Sequence, residues 1–201
     1  RPSQTAQWTR LLGSGLRDQG EAVAVDSAGN VFVAGYTNGS LSGQNAGGSD
    51  TVVAKFDASG NRQWLTQFGG SQRDEPRDLA TDGSGNLYLA GFSDSASFAG
   101  GGSGGTDAIV AELDGSTGAR NWTRRYGSSN DDALHGIVAD GAGNLYVAGV
   151  VRGSVGGQSA IGGEDVLVAQ HNGSGTRQWL TVDGTASDDA AFDLTLSGGS
   201  L

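Results

Sequence analysis

Four tryptophans, Trp8, Trp64, Trp122 and Trp179, stand 56, 58 and 57 residues apart, and most of the 201-residue chain keeps step with them. Ten residues after each Trp comes an Asp: Asp18, Asp74, Asp132 and Asp189. Eighteen after come Asp26, Asp82 and Asp140, with Ser197 as the exception, and twenty-two after come Asn30, Asn86 and Asn144. Upstream, "TVVAKFD" (51–57), "AIVAELD" (108–114) and "VLVAQHN" (166–172) align as well. A period of this length fixes the organisation before any local reading. Each unit is one supersecondary element that cannot bury its apolar surface alone, so units must stack on one another.

Within a unit the pattern is that of short strands and tight turns. In the second full unit the strands read "RQWLTQF" (62–68), "RDLATD" (77–82), "LYLAGFS" (87–93) and "AIVAELD" (108–114). "DGSGN" (82–86) joins the second to the third, with Gly and Asn supplying the positive-φ positions of a hairpin turn. "DGSTGARNW" (114–122) leads from the fourth strand to the next Trp strand. Longer Gly-rich loops cover 38–50, 94–107 and 152–165. The thrice-spelled phrase "SAGNVFVAGYT" (27–37), "GSGNLYLAGFS" (83–93), "GAGNLYVAGVV" (141–151) is therefore architecture: a turn, then a crowded strand. Its Ala-Gly pairs mark close backbone approach, expected where blades converge. The expectation is an all-β fold, a β-propeller of four-stranded antiparallel blades in one domain over 1–201. The repeat units are about 8–63, 64–121 and 122–178, with a partial one at 179–201, giving fourteen strands or about 3.5 blades. A parallel β-solenoid is the rival, but its coils are shorter and lack regular hairpin turns.

Composition removes several classes of function. The chain holds 37 Gly but only 2 Pro, has no Cys, and carries a net charge of −10. Disulfide and thiol chemistry are thereby excluded. Asp supplies 18 of the 22 acids, and much of that acidity belongs to turns. A duplex or an anionic membrane would be repelled, so no nucleic acid partner is expected. Apolar runs of four or five residues are too short for membrane insertion.

The pattern "D-x-x-GN-x-Y/F-V-A-G" followed by "GG-x-D-x-x-V-A-K-x-D-x-x-G-x-x-x-W" resembles the bacterial beta-propeller repeat called SBBP. The resemblance covers almost the whole chain. It implies an exported bacterial protein, at the cell surface, outer-membrane-associated or extracellular. The implied role is structural or binding, with a protein partner in an envelope or extracellular assembly, and no catalytic residue carries over. "DGSTGARNW" (114–122) is also similar to the Trp-docking motif of quinoprotein propellers, and "DASGNRQW" (57–64) to the Asp-box turn. Both similarities are structural, since no cofactor pocket accompanies them. Three and a half blades leave unpaired edges, and Arg1 stands where an initiator Met would be. Leu201 is therefore expected to lie within a longer array.

Each candidate site also has a plain structural role. Asp18, Asp74, Asp132 and Asp189 suit calcium by chemistry, but identical placement in every unit favours turn carboxylates bonding backbone N–H groups. The neighbours Asp131-Asp132 and Asp188-Asp189 sit side by side in sequence, whereas glycosidase acids face each other across a bond. His135 stands where other units carry Glu21, Arg77 and Phe192; His171 stands where they carry Phe56 and Leu113. Such tolerance argues against a ligand or a catalytic base. The Gly-rich loops lack the helix and Lys of a phosphate loop, yet vary on a constant frame as partner-binding loops do. "N-x-S/T" triplets at Asn38, Asn121 and Asn172 are taken as chance. The reading is a non-catalytic module with no catalytic residue, cofactor or metal site. The alternative is a carbohydrate-active enzyme with its site in the central channel, which would gather unusual polar residues at one end of that channel. The departures seen are Ser197 and the missing "GN" near 198–201, in the incomplete unit.

Overall fold

The computed structural model describes residues 7–96, 98 and 104–197; the expected departure at 198–201 lies outside them. Three four-stranded sheets follow the chain without crossover. The first is β1 (Asp18–Val25), β2 (Val31–Thr37), β3 (Asp50–Phe56) and β4 (Arg62–Phe68). The second is β5 (Asp74–Thr81), β6 (Asn86–Ser93), β7 (Asp107–Asp114) and β8 (Arg120–Tyr126). The third is β9 (Ala133–Ala139), β10 (Leu145–Val151), β11 (Asp165–His171) and β12 (Arg177–Asp183). All pairings are antiparallel, and the described residues contain no helix.

The sheets are out of phase with the sequence units. Each Trp strand closes a sheet rather than opening one, so an Asp ten residues after Trp marks the crossing to the next sheet. Twelve strands form among the described residues instead of fourteen, because the segments around Trp8 and 191–196 have no neighbouring strand to complete a ladder. The sheets are not closed into a ring.

The repeated phrase builds the turns. Asp82 accepts the Asn86 N–H at 3.0 Å and the Asn86 side-chain amide at 2.9 Å, and Asp26–Asn30 and Asp140–Asn144 repeat the arrangement. The Ala-Gly pairs have a different cause from the one expected. A Cβ on Gly35, Gly91 or Gly149 would lie 2.0, 2.2 or 2.0 Å from a carbonyl oxygen of the first strand of its own sheet. That strand bulges there, with Glu21, Arg77 and His135 as the extra residues. The close approach is thus within a blade, not between blades. A second bulge precedes each sheet-closing Trp, at Gln63, Asn121 and Gln178.

Alternation of side chains gives the second sheet two buried faces. Leu87, Leu89 and Ile109 meet Phe32, Ala34 and Val53 of the first sheet. Tyr88, Ala90 and Val110 meet Leu134, Leu145, Val147 and Leu167 of the third. The first strands β1, β5 and β9 approach one another in succession, so the sheets fan out from a shared inner edge.

Candidate functional site

The four period-marking carboxylates bind the chain to itself. Asp18, Asp74, Asp132 and Asp189 each accept the backbone N–H of the residue four before: Ser14, Gly70, Ser128 and Thr185. Hydroxyls or a further N–H complete them: Thr37 at Asp18, Ser93 and Ser95 at Asp74, and the Arg152 N–H at Asp132. Burial works against the charge of Asp18, but the Thr37 and Ser14 hydrogen bonds outweigh it and hold that carboxyl below its ordinary range. Burial prevails at Asp74 and Asp132 and pushes both up, with Asp50 adding to the rise at Asp74. These oxygens are engaged by donors, and no group of three or more metal-ligating side chains occurs among the described residues.

The inner edge of the fan carries what does not repeat. A bulge re-aims its extra side chain, and the bulges of β1, β5 and β9 bring Glu21, Arg77 and His135 into succession. The Arg77 guanidinium lies 3.5 Å from the Glu21 carboxylate and 3.5 Å from that of Glu75. Arg77 and His135 share the wall of a cleft of about 230 Å³ between the second and third sheets. Phe92 lies in the same wall with two guanidinium groups against its ring, Arg73 at 5.3 Å and Arg77 at 4.8 Å. Arg152 is ion-paired with Glu164 and stands 3.8 Å from Asp131. Burial, and then Arg77, push the His135 pKa down, so its imidazole is neutral near pH 7; its ring meets Phe192 at 5.3 Å. Arg73 also lines a second cleft, of about 350 Å³, with Arg17, Tyr36 and Ser49. Such walls can recognise a ligand by charge and aromatic contact. Their acids are tied into the frame: Asp131 accepts the Thr106 N–H at 2.9 Å, and Asp132 is held as above.

His171 lies elsewhere, buried in β11 and hydrogen-bonded through Nε2 to the Tyr126 hydroxyl. Burial, then Arg177 and Arg124, lower its pKa to about 4. Asp188 accepts the Glu164 N–H at 3.1 Å, as Asp131 does that of Thr106. The Gly-rich loops are constrained at their ends: a Cβ on Gly47, Gly104 or Gly162 would lie 2.2, 2.4 or 2.4 Å from the crossing segment of the same junction. Among the three sequons, Asn38 and Asn121 donate their side-chain N–H to the Gly48 carbonyl and the Glu112 carboxylate, and the Asn172 side-chain oxygen accepts the Thr176 N–H. Positions 21, 77, 135 and 192 carry Glu, Arg, His and Phe, a variation that in sequence alone argues against function. The structure gives that column a common location. The available signal was a position that refuses to repeat inside a strand that otherwise does.

The model of the SBBP beta-propeller repeat matches residues 7–42, 63–99 and 121–150, about half of the chain. The chain belongs to the SBBP beta-propeller repeat family. Each matched stretch of this SBBP protein runs from a Trp through the Asp ten residues on into the turn and strand that follow. A similar protein is the Regulatory protein FlaEY of Caulobacter vibrioides, 33% identical over 150 residues. The match spans 67% of this chain and 16% of that protein.

Proposed function

We propose that this SBBP chain is a non-catalytic binding module of an exported bacterial assembly, in the envelope or outside the cell, holding a protein partner or ligand at the inner edge of its fan. One observation carries the reading. The frame repeats from sheet to sheet, while the bulge position changes from Glu21 to Arg77 to His135, and Arg77 and His135 line one cleft with Glu21 ion-paired to Arg77. A rigid scaffold with varied side chains at one edge is suited to recognition. The paired arginines and the neutral His135 supply contacts, and Asp131 and Asp132 already serve the frame. A relative described as a regulatory protein is in keeping with recognition rather than turnover.

The test is a photo-crosslinking amino acid at Thr106 in the cleft wall, with a control at Gly83 on a turn, in cells that are then fractionated. One adduct of defined mass in the exported or envelope fraction, lost in Arg77→Ala, is the expected result. An adduct pattern equal to the control's overturns the binding site. Glycan hydrolysis by the purified protein that vanishes in Asp132→Asn would move the reading to the channel enzyme.

A further inference from the structure

Two arginines one blade apart stand over equivalent rings. The Arg17 guanidinium lies 5.5 Å from the ring centre of Tyr36, and that of Arg73 lies 5.3 Å from the ring centre of Phe92. Both rings are buried, and both arginines are exposed. The cross-strand partner of each ring is polar, Gln19 opposite Tyr36 and Glu75 opposite Phe92. In the third sheet all three places have changed, to Asp131, Val150 and Ala133. Val150 and Ala133 still pair in the same register, so the frame does not require the arginine and its ring.

These stations have donors to spare. Arg17 gives one N–H to Gln19 at 2.9 Å and makes no ion pair among the described residues. Arg73 gives its Nε–H to Asp94 at 2.7 Å, and its terminal N–H groups have no acceptor among the described residues. Arg73 also joins two clefts, one shared with Arg17 and Glu75, the other with Arg77, Arg152, Asp131 and Asp132. Guanidiniums outnumber carboxylates by two to one in the first wall and by three to two in the second. Glu21, Asp94 and Glu164, which pair with these arginines, line neither.

Given the binding role proposed for these clefts, we propose that together they take an extended acidic segment of the protein partner, with one carboxylate at Arg17 and one at Arg73. A guanidinium fork meets a carboxylate through two parallel N–H bonds. An excess of one positive charge in each wall matches a single carboxylate. A phosphate dianion would bring a second charge against Glu75 or Asp131. A cationic segment, which the net charge of −10 would otherwise attract, meets guanidiniums at both stations. The acidic segment stops short of the third sheet, where Asp131 replaces the arginine.

The test is fluorescence anisotropy with a labelled peptide of alternating Glu and Gly, beside Gln/Gly and Lys/Gly peptides of equal length. The expected result is that only the Glu peptide binds, and that Arg17→Gln and Arg73→Gln each weaken it about tenfold or more. Arg62→Gln, at an exposed arginine of β4, should leave it unchanged. Equal binding of the Gln peptide, or binding of the Glu peptide that survives both substitutions, overturns the proposal. So does tighter binding of the Lys peptide, or of oligogalacturonate, which carries the same carboxylates on a sugar chain. In cells, the adduct formed at Thr106 should be lost in the Arg17→Gln/Arg73→Gln double variant. An adduct of unchanged yield there overturns the acidic segment and leaves the binding role standing, whereas no adduct in the parent overturns both.

Discussion

Trp64 belongs to the first sheet, but its indole Nε1–H is bonded to the Gly115 carbonyl of the second, 3.2 Å away. The bulge at Gln63 lies immediately before it, and the turn residue it covers, Gly118, has φ of 75°. Sequence period, local backbone irregularity and inter-sheet packing meet in this one contact.

Loss of that contact has a defined cost. Trp64 is half-buried, so Trp64→Ala should lower stability by about 2–3 kcal/mol, below the ~3–5 of a fully buried Trp. Gly118→Val should be at least as damaging, since a β-branched residue at positive φ is strained and its Cβ would meet the ring at 2.7 Å. Trp179→Ala should cost under about 1 kcal/mol, as expected of a partly exposed residue without a polar partner. Urea midpoints of the three variants give the ranking; equal losses at Trp64 and Trp179 would contradict the docking account.

The strand glycines make a second, independent case. Gly91→Ala and Gly149→Ala would press a methyl to 2.2 and 2.0 Å from the Glu75 and Ala133 carbonyls. Overpacking against backbone costs about 1–3 kcal/mol. Gly83→Ala meets nothing within 4 Å and should stay within about 0.5 kcal/mol of the parent. Thermal unfolding of the three proteins decides it. Crosslinking at the cleft should also weaken in Gly91→Ala, because the bulge it disturbs carries Arg77.

Much of this frame was legible because turns are local. Asp, Gly and Asn at fixed offsets determine a hairpin whatever surrounds it, so the phrase ending at Asn86 was readable as architecture. The phase of the sheets was not legible. Whether Trp64 opens or closes a sheet depends on which strands share a ladder, and both choices give the same period. The bulges escaped for a related reason: an extra residue at Arg77 or His135 is defined only against its partner strand. That same blindness hid the candidate site, since Glu21, Arg77 and His135 share a location only after three strands converge.

The turn carboxylates should govern acid stability. Hydrogen bonds from Asn144, against a smaller opposing effect of burial, hold the Asp140 pKa below its ordinary value of 3.8. A lowered carboxylate contributes stability that is present above the unfolded value and is lost as pH falls through the folded one. Asn172 shows that Asn can cap an equivalent turn, accepting the Thr176 N–H at 2.9 Å. Asp140→Asn should therefore fold with the same turn, be less stable than the parent near neutral pH, and close that gap as pH falls below about 4. Denaturant midpoints across this range test the sign; a gap that widens in acid would refute it.

His171 should act over a higher pH window. With its folded pKa lowered to about 4 from 6.5, the unfolded chain takes up a proton first. Stability then falls as pH drops through that interval, by about 1.4 kcal/mol per pH unit. Leu113 and Phe68 occupy the corresponding places one blade earlier, both in one apolar cluster. His171→Leu alone strands the buried Tyr126 hydroxyl, and Tyr126→Phe alone strands the imidazole, so each single variant should lose about 1–3 kcal/mol. The double variant should recover to within about 1 kcal/mol of the parent near pH 7, because an apolar pair of similar shape replaces both partners. Near pH 5 it should exceed the parent, the difference having grown by about 2 kcal/mol. A parent-to-double difference that stays constant with pH, measured by urea unfolding, would mean that His171 is not held neutral by its burial under Tyr126.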